Sequence, residues 1–512
     1  MKCKLDNSEK FLQLYDYTDK ELAQIRYSFK RRIANWRYHP LVKKKLWDGY
    51  INFVNEKFGV PLIPVGLWSQ LSKICKEFDL EFYCDDFDKI IDYDFIYEEF
   101  EQWVYKFFED HPDHKKGGPK EVREYQIKSA YNILKFKMSC SEIATSAGKT
   151  LIMFIIFAYL FDTKKISKYL IVVPNTSLII QGMEDFEKYN NNKLNFKIQP
   201  IHAGTEKRKS DHEVIIGTFQ SLTKREDSWF DEIDAICIDE AHFVNSKSVR
   251  DVITKCKDLK YRYGLSGTVK KAEDTADYYT VQAYLGPYVN DISAKFLIDN
   301  KYATEIFVKV VRMDYLEAEI KEKLQGLLQR RYEFEGTKLL DIEKKLVIDN
   351  RRRFLYVTNF ISKTTKNSLV LFADVKYGYG RKIYDWLRQN TDKKVYYIDG
   401  GTSVPTRTQY FEEMEEGEDK ILVASFGICA TGISINNLYN IFLVESFKSD
   451  KIIRQAIGRG MRLKEGKERT TIIDFCDDFS MKIKNYLRKH SDNRITTYKQ
   501  QGFPYKIFEV KF

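Results

Sequence analysis

Residues 144–150 read ATSAGKT and lead directly into an apolar run, LIMFIIFAYLF (151–161). The phosphate-binding loop pattern requires a glycine five places before a Gly-Lys-Thr or Gly-Lys-Ser triplet. Here Gly148, Lys149 and Thr150 are present, but Ile143 occupies the glycine place. A bare triplet of this kind occurs by chance about once in five chains of this length. The apolar run is too short to span a bilayer and predicts a buried helix, so the loop must be judged with the rest of the chain.

Short apolar runs alternate with amphipathic stretches in two series along the chain, and each run is a candidate strand. Nearly unbroken apolar strands separated by helices predict parallel sheets that are covered on both faces. The sequence therefore predicts an α/β fold with two such sheets. The runs are YLIVVP (169–174), EVIIGT (213–218), DAICID (234–239), RYGLSGT (262–268), SLVLFA (368–373), KVYYID (394–399), KILVAS (420–425), NIFLVE (440–445) and TTIIDF (470–475).

Two carboxylates follow one of these runs, in DAICIDEAH (234–242). Phosphoryl transfer needs a metal ion that clamps the phosphates and a water molecule held in line. Asp239, at the strand end, is predicted to hold Mg²⁺ together with Thr150, and Glu240 to orient or deprotonate the water. Lys149 is predicted to contact the β- and γ-phosphates. A solvated acidic turn is the alternative for DEAH, and the Gly-Lys-Thr loop weighs against it.

A third motif, RQAIGRGMR (454–462), places Gln455, Arg459 and Arg462 in a Q-x-x-G-R-x-x-R pattern. Arginines delivered to a γ-phosphate stabilise the negative charge of the transferring group. The pattern leaves open which of Arg459 and Arg462 does so. A basic surface helix is the alternative for this motif taken alone.

A basic segment lies near the N-terminus. Between Leu22 and Trp47 the chain has eight lysines and arginines and no acidic residue, with aromatic residues among them. Basic side chains with stacking residues suit a phosphate backbone and exposed bases, so Arg31, Arg32 and Trp36 are predicted to contact nucleic acid. Two alternatives remain: the segment is a solvated helix face, or the tryptophans pack in a core.

The overall composition is that of a globular chain. Its 512 residues, 43% hydrophobic and 15% aromatic, are too many for one core and predict about three domains. The net charge of +10 is moderate, and the eight cysteines include no C-x-x-C pair. The first residues, MKCKLDNSEK, lack the apolar core of a signal peptide. We therefore expect a soluble, cytoplasmic protein without a membrane partner.

Taken together and in order, the motifs resemble those of the superfamily 2 helicases and translocases. ATSAGKT, DEAH, SGT (266–268) and Q-x-x-G-R-x-x-R occur in that sequence, and the resemblance covers nearly all of residues 118–475. It implies two tandem RecA-like parallel-sheet domains that bind and hydrolyse ATP with Mg²⁺. One departure is Ser434, where many relatives carry an acidic residue.

The resemblance implies roles for residues at matching positions. Gln126, in REYQ, resembles the glutamine that reads adenine, and Gly432, in ASFGICATGISI (424–435), is implied to lie at the nucleotide. Four further residues are implied to follow a nucleic-acid strand: Pro174, Thr176, Gly217 and Thr218. The loop residues implied to surround the phosphates are Thr145, Ser146, Ala147, Gly148, Lys149 and Thr150.

Segments near both ends, LWDGYINFVN (46–55) and NYLRKHSDNRITTY (485–498), are similar to those of helicases from T-even bacteriophages. This likeness implies ATP-driven remodelling of branched DNA: fork regression, branch migration and R-loop unwinding in recombination, repair and replication. The implied domains are a small α+β nucleic-acid-binding domain at 1–112, a first RecA-like domain at 118–298, and a second at 299–512 with a basic C-terminal extension.

The implied partners are DNA, an RNA–DNA hybrid, and replication and recombination proteins of a phage. Two other functions remain open. One is an RNA-directed or restriction-type translocase, against which the lack of an evident nuclease motif weighs. The other is an ATP-gated module that anneals or clamps nucleic acid. Glu240 and the arginine pair weigh against it, because a pure clamp does not need a complete hydrolytic set.

Overall fold

The computed structural model describes residues 1–512 apart from 7, 35, 58, 206–210, 268–274, 331–335, 374, 429–434 and 447–449, and it does not describe the side chains of 336, 337, 376 and 450–452. The described residues form two compact units. One consists of residues 1–143 and 148–292, and the other of residues 144–147 and 293–512. The boundaries predicted at 112, 118 and 298 stay a prediction.

The helices and strands alternate along most of the chain. The helices of the described residues are α1 (Asp19–Ser28), α2 (Pro40–Lys43), α3 (Trp68–Glu77), α4 (Phe87–Ile90), α5 (Tyr97–Phe108), α6 (Glu124–Leu134), α7 (Lys149–Asp162), α8 (Thr176–Asn190), α9 (Phe219–Leu222), α10 (Lys247–Lys255), α11 (Ala276–Leu285), α12 (Ala294–Asp299), α13 (Ala318–Gln329), α14 (Gly336–Asp349), α15 (Arg351–Ser362), α16 (Tyr379–Asn390), α17 (Val404–Glu416), α18 (Asp450–Gly460) and α19 (Tyr486–Gln500).

The N-terminal region is built on a five-stranded mixed sheet in the order β5-β6-β2-β1-β7, beside a two-stranded antiparallel sheet of β3 and β4. Its hydrophobic core continues onto α11, which contributes Tyr278 and Tyr279. The contact is close, since a Cβ on Gly66 would lie 2.0 Å from the Gln282 carbonyl oxygen. This shared core joins the N-terminal region to the first α/β sheet in one unit. The strands are β1 (Lys2–Leu5), β2 (Phe11–Tyr15), β3 (Lys30–Arg32), β4 (Tyr50–Asn52), β5 (Asn55–Lys57), β6 (Val60–Pro64) and β7 (Tyr83–Cys84).

The rest of the first unit contains a seven-stranded parallel sheet in the order β10-β11-β9-β12-β13-β8-β14. The predicted apolar helix is confirmed as α7, which is buried from Leu151 to Ala158 and packs against α6 and α8. None of the described helices has the length and apolar character needed to cross a membrane. The strands are β8 (Met138–Ile143), β9 (Tyr169–Val173), β10 (Ile198–Ile201), β11 (Val214–Thr218), β12 (Ala235–Asp239), β13 (Tyr261–Ser266) and β14 (Tyr288–Ile292).

The second unit contains another seven-stranded parallel sheet, in the order β17-β18-β16-β19-β20-β15-β21. The predicted fold class, two tandem parallel α/β sheets after a small α+β region, is confirmed. The strands are β15 (Glu305–Asp314), β16 (Ser368–Phe372), β17 (Val395–Ile398), β18 (Ile421–Ser425), β19 (Asn440–Leu443), β20 (Arg469–Asp478) and β21 (Tyr505–Lys511).

The basic tail is part of the second sheet. Its last strand, β21, pairs in parallel with β15 and forms one edge of the sheet. Strand β21 is not an apolar run, because YKIFEVK intersperses charged residues with apolar ones and all seven residues are partly or fully exposed. The helix before it, α19, is fixed by Arg494, whose guanidinium donates to both carboxylate oxygens of buried Asp474.

A second buried ion pair lies in the same unit. Arg353 of α15 donates through Nε to Asp477 Oδ1 at 2.6 Å and through Nη2 to Asp477 Oδ2 at 3.0 Å. The same guanidinium donates to the Tyr379 hydroxyl and to the Val444 carbonyl oxygen. Arg353 and Asp477 are both almost completely buried, so the stability of the pair depends on these bonds.

We expect Arg353→Ala to lower the free energy of unfolding by about 3–5 kcal/mol, because it leaves the Asp477 carboxylate buried without its partner. The matched control is Arg351→Ala, which removes an exposed arginine two residues earlier and should change the free energy by about 0.5 kcal/mol or less. Urea unfolding followed by circular dichroism measures both. Equal effects of the two substitutions would contradict a structural role for the buried pair.

Candidate functional site

The predicted catalytic residues of the first unit lie at the carboxyl ends of adjacent strands. Strands β12, β13 and β8 are neighbours in the sheet, and β8 ends immediately before the loop at 144–150. Asp239 ends β12 and stands level with Leu265 of β13, so Ser266 comes one residue further along, next to Glu240. Because parallel strands present their carboxyl ends at one edge, the sheet gathers residues that are far apart in the chain.

The loop has two residues with positive φ. Gly148 has a φ of +81° and Ser146 one of +72°, a left-handed conformation that costs energy for the serine because it has a side chain. Gly148 also allows a close approach, since a Cβ there would lie 2.3 Å from Gln126 Nε2. The structure therefore places Gln126, the predicted adenine-reading residue, against the start of α7. Gln126 is buried, and its Oε1 accepts a hydrogen bond from the Arg123 amide.

Lys149 lies between the two carboxylates. Its Nζ donates to Glu240 Oε1 at 2.9 Å and lies 3.6 Å from Asp239 Oδ1. Lys149 is the first residue of α7, where backbone N–H groups and the positive end of the helix dipole favour a bound phosphate. The predicted grouping of Lys149, Asp239 and Glu240 is present, and it places a cation, a helix N-terminus and two carboxylates at one edge of the sheet.

Glu240 is held by more partners than the sequence indicated. The Ser266 hydroxyl donates to Glu240 Oε2 at 3.0 Å, and His242 Nδ1 lies 3.3 Å from the same oxygen. Glu240 itself has a φ of +61°, a left-handed conformation that costs energy for a residue with a side chain. His242 and Ser266 belong to the DEAH and SGT motifs, but the motifs alone do not indicate that either side chain contacts Glu240.

The two carboxyl groups are shifted in opposite directions. Burial raises the pKa of Asp239, and the charge of Lys149 only partly opposes the shift. Burial also acts to raise the pKa of Glu240, but Lys149 and His242 outweigh it, so that pKa lies well below its ordinary value. Glu240 is therefore the carboxylate held in its charged form, as a residue that orients water must be.

Thr150 and Asp239 both line one small cavity of about 30 Å³ beside β9 and α8, and most of its other lining residues are apolar. A hydroxyl and a carboxylate are hard oxygen donors of the kind that Mg²⁺ binds, with the remaining positions taken by phosphate oxygens and water. The donor set therefore fits the predicted Mg²⁺ site.

Arg459 and Arg462 belong to the second unit. Arg459 lies in the last turn of α18, and Arg462 follows its end by two residues. Both side chains are partly exposed. The predicted nucleotide contact Gly432 lies outside the described residues.

One residue that the motifs did not indicate, Lys467, joins two of them. Its buried Nζ donates to three carbonyl oxygens: those of Gly460 at 2.9 Å, Arg462 at 3.0 Å and Asn436 at 3.0 Å. The first two end the arginine motif, and Asn436 follows the ASFGICATGISI segment. Burial lowers the pKa of Lys467 to about 7, which nearby Glu415 opposes. The lysine thus fixes the chain after α18. Hydrogen bonds from a side chain to backbone carbonyls leave no motif in the sequence, so the motifs do not indicate Lys467.

The four residues predicted to contact a nucleic-acid strand lie at or just after the carboxyl ends of two strands of the first sheet. Pro174 follows β9, and Gly217 and Thr218 end β11, the next strand. Thr176, at the start of α8, is exposed. Thr218 is buried, and its hydroxyl donates to Ser221 Oγ at 3.0 Å. A Cβ on Gly217 would lie 3.0 Å from the Ile201 Cβ, so a larger residue there requires its neighbours to shift by a few tenths of an ångström.

The basic N-terminal segment forms a stack of cations and aromatic rings. The Arg32 guanidinium lies 3.9 Å from the centre of the Trp36 ring and 4.4 Å from that of Tyr50. Arg31 donates to the Tyr279 hydroxyl of α11 at 2.9 Å and therefore also fixes the segment to the first sheet. Neither Trp36 nor Trp47 belongs to the hydrophobic core of the N-terminal region among the described residues. This weighs against the alternative that the tryptophans only pack a core.

Two protein families match the chain. "Type III restriction enzyme, res subunit" matches residues 119–271, and "Helicase conserved C-terminal domain" matches residues 350–464. The first match includes the loop, both carboxylates and Ser266, and the second includes Arg459 and Arg462. The predicted kinship with the superfamily 2 helicases is confirmed.

The chain is similar over almost its whole length to the ATP-dependent DNA helicase uvsW of Enterobacteria phage T4, with 27% identity over 97% of each chain. The crystal structure of T4 UvsW covers 100% of this chain and 99% of its own, with 25% identity and a TM-score of 0.48. The type ISP restriction-modification enzyme LlaBIII bound to DNA covers 77% of this chain and 31% of its own, with 17% identity and a TM-score of 0.56. This last likeness shows a shared fold.

We expect Lys467→Met to lower the turnover number for nucleoside triphosphate hydrolysis about tenfold or more, with a smaller change in KM. The substitution leaves three carbonyl oxygens without their donor, a cost of about 1–3 kcal/mol for each buried group, and it releases the chain that carries Arg462. Steady-state kinetics measures both constants. Lys482→Met, at an exposed lysine, is the matched control, and equal kinetics for the two variants would contradict a positioning role for Lys467.

Proposed function

We propose that this chain, a superfamily 2 helicase, is an ATP-dependent DNA motor that remodels branched DNA. The single observation that carries the proposal is the position of Lys149 between Asp239 and Glu240 at the carboxyl ends of neighbouring strands. This set of residues suits hydrolysis of a nucleoside triphosphate. The choice of DNA and the requirement for ATP are supported by the likeness to the phage T4 DNA helicase.

The residues proposed to bind the nucleotide in the first unit each have a separate role in the reaction. Lys149 and the N-terminal amides of α7 bind the β- and γ-phosphates. Thr150 and Asp239 would hold Mg²⁺, which neutralises charge that develops on the phosphate oxygens when it is bound. Glu240, kept ionised by Lys149 and His242, orients the attacking water, and the Ser266 hydroxyl fixes the carboxylate. Gln126 selects adenine.

In this proposal Arg459 or Arg462 supplies positive charge to the γ-phosphate during transfer, because a guanidinium stabilises the equatorial oxygens. Gly432 contacts the nucleotide, as the family resemblance implies. Lys467 acts through these residues, because it fixes the backbone at Gly460 and Arg462.

The nucleic acid is held mainly through its phosphates. The exposed Thr176, with Pro174 and Gly217, contacts one strand, and the cation–aromatic stack of Arg32 and Trp36 contacts the duplex or branch. Contacts of this kind are independent of base sequence and weaken with salt. We propose forks, four-way junctions and R-loops as substrates, and the host cytoplasm as the location. An RNA–DNA hybrid and phage replication and recombination proteins stand as further proposed partners.

The experiment that tests the proposal is steady-state ATPase activity at fixed salt, with no nucleic acid, single strands, duplex, a four-way junction and RNA. We expect the junction to stimulate hydrolysis most strongly. Glu240→Gln should remove the stimulated rate and still bind nucleotide, because the amide retains the shape of the side chain but not its charge. A loss of about 10²–10⁴-fold is expected for a residue that orients or deprotonates the attacking water.

Other outcomes decide between the alternatives. Stimulation by RNA alone would assign the chain to an RNA-directed translocase. Hydrolysis that no nucleic acid stimulates would contradict a motor and leave an annealing or clamping module. Lys149→Ala separates these two classes further, since a motor loses unwinding and retains DNA binding, whereas an annealing module retains its activity.

A further inference from the structure

A large groove lies within the first unit, at the amino ends of the parallel strands. Its volume is about 1020 Å³, and it runs between the N-terminal region and the start of β8 and β13. Lys137 and Met138 line it at β8, and Tyr261 and Arg262 line it at β13. The catalytic residues lie at the other ends of the same strands. Since β8 has six residues, the two sites are about 16 Å apart along the sheet.

The lining of the groove is strongly basic. Seven lysines and arginines line it against two acidic residues, Glu9 and Asp258: the basic residues are Lys10, Lys89, Lys137, Arg250, Lys257, Lys260 and Arg262. Lys89 and Lys260 form ion pairs with carboxylates, and Arg250 donates to backbone carbonyls. Within the described part of the chain, the other four cations make no ion pair with a carboxylate.

Arg262 is the most informative of these four cations. It lies in β13 and is only partly exposed, and burial lowers its pKa to about 10. A guanidinium removed from water without a carboxylate partner is costly, and a bound anion offsets that cost. Arg262 therefore indicates that the groove suits a negatively charged ligand.

The groove also has aromatic and aliphatic walls. Phe11 of β2, Tyr261 of β13 and Tyr284 of α11 line it and are each partly exposed. Such rings provide faces on which unpaired bases stack, and every base has such a face. Cations next to stacking surfaces suit a polymer that alternates phosphates with planar bases. A volume above the usual range for one small ligand also fits a polymer segment.

We propose that this groove binds a single-stranded segment of nucleic acid, separate from the strand on which the motor moves. Lys10, Lys137, Lys257 and Arg262 contact the phosphates, and Phe11, Tyr261 and Tyr284 contact the bases. Binding there is independent of base sequence and salt-sensitive. This inference rests on the proposed function and extends it. A protein that separates or exchanges two nucleic-acid strands can bind the second strand in this groove while the motor moves along the first. Because the groove lies at the amino ends of the strands, a nucleic acid bound in it does not cover the carboxyl ends, where the nucleotide is proposed to bind.

The test compares charge reversals at exposed lysines in the full-length protein. Binding of fluorescein-labelled dT20 is measured by anisotropy between 50 and 300 mM NaCl, about the range over which phosphate contacts dominate. Lys137→Glu with Lys257→Glu should weaken binding about tenfold or more at low salt. It should also reduce the slope of log affinity against log salt by about 1.4, since each lost phosphate contact removes about 0.7 from the slope for single strands.

The matched control is Lys338→Glu with Lys345→Glu, which changes the net charge equally at two exposed lysines of α14 in the other unit. The control should retain the wild-type slope, and thermal unfolding reports whether both double variants fold. A dT20 strand that carries 5-iododeoxyuridine should also form photo-crosslinks to Phe11, Tyr261 or Tyr284, as read by mass spectrometry.

Two results would overturn the inference. One is an equal slope for both double variants with no crosslink in the groove. The other is a wild-type protein that binds a ten-residue glutamate peptide but not dT20, together with a Lys137→Glu and Lys257→Glu variant that does not bind the peptide. The groove would then dock an acidic protein segment. The proposed function is tested separately by wild-type ATPase stimulation. A stimulated wild-type protein whose DNA binding does not depend on the groove contradicts only this inference.

Discussion

The convergence of β8, β12 and β13 at one edge of a parallel sheet is the constraint on which the proposed chemistry depends. The register of these strands fixes Asp239 level with Leu265 and so brings Ser266 beside Glu240. The helix that starts at Lys149 then supplies a cation between the two carboxylates. A shift of one residue in this register would turn these side chains to the opposite face of the sheet. Catalytic geometry is therefore set by backbone pairing between distant segments.

The second unit relies on buried charge to hold its elements in place. Arg353 ties α15 to Asp477, and Arg494 ties α19 to Asp474, so two helices are fixed to β20 by ion pairs with several hydrogen bonds each. Lys467 performs a related task with backbone carbonyls at the end of the arginine motif. Buried charges of this kind add little net stability, but loss of one partner is costly, which favours a single arrangement.

The N-terminal region is joined to the first sheet more closely than a separate domain would be. Tyr278 and Tyr279 of α11 are part of its hydrophobic core, and Arg31 donates to the Tyr279 hydroxyl. The proposed nucleic-acid contacts of the basic segment therefore lie in the same unit as the residues proposed to bind the nucleotide. The proposed groove lies along the same junction, so both proposed nucleic-acid surfaces of this unit are attached to one hydrophobic core.

Much of the fold was predicted from the sequence, and so was the grouping of Lys149, Asp239 and Glu240. The apolar strands are local signals, and these three residues end or follow strands of the sheet, so the order of the motifs indicates the roles proposed for them. The strand β21 was missed because charged residues alternate along an exposed edge, a pattern that hydrophobicity alone does not detect.

Only the tertiary structure decided the rest. His242 and Ser266 gain their importance from contacts with Glu240, and Lys467 from three carbonyl oxygens supplied by two different segments. The groove unites residues from the N-terminal region with the start of β8 and β13. Such groupings depend on how segments far apart in the chain pack together, and hydrogen bonds to backbone leave no residue pattern from which they can be read. The sequence by itself determined most of the parallel strands and the residues proposed for phosphate chemistry, and the packing determined which side chains support them.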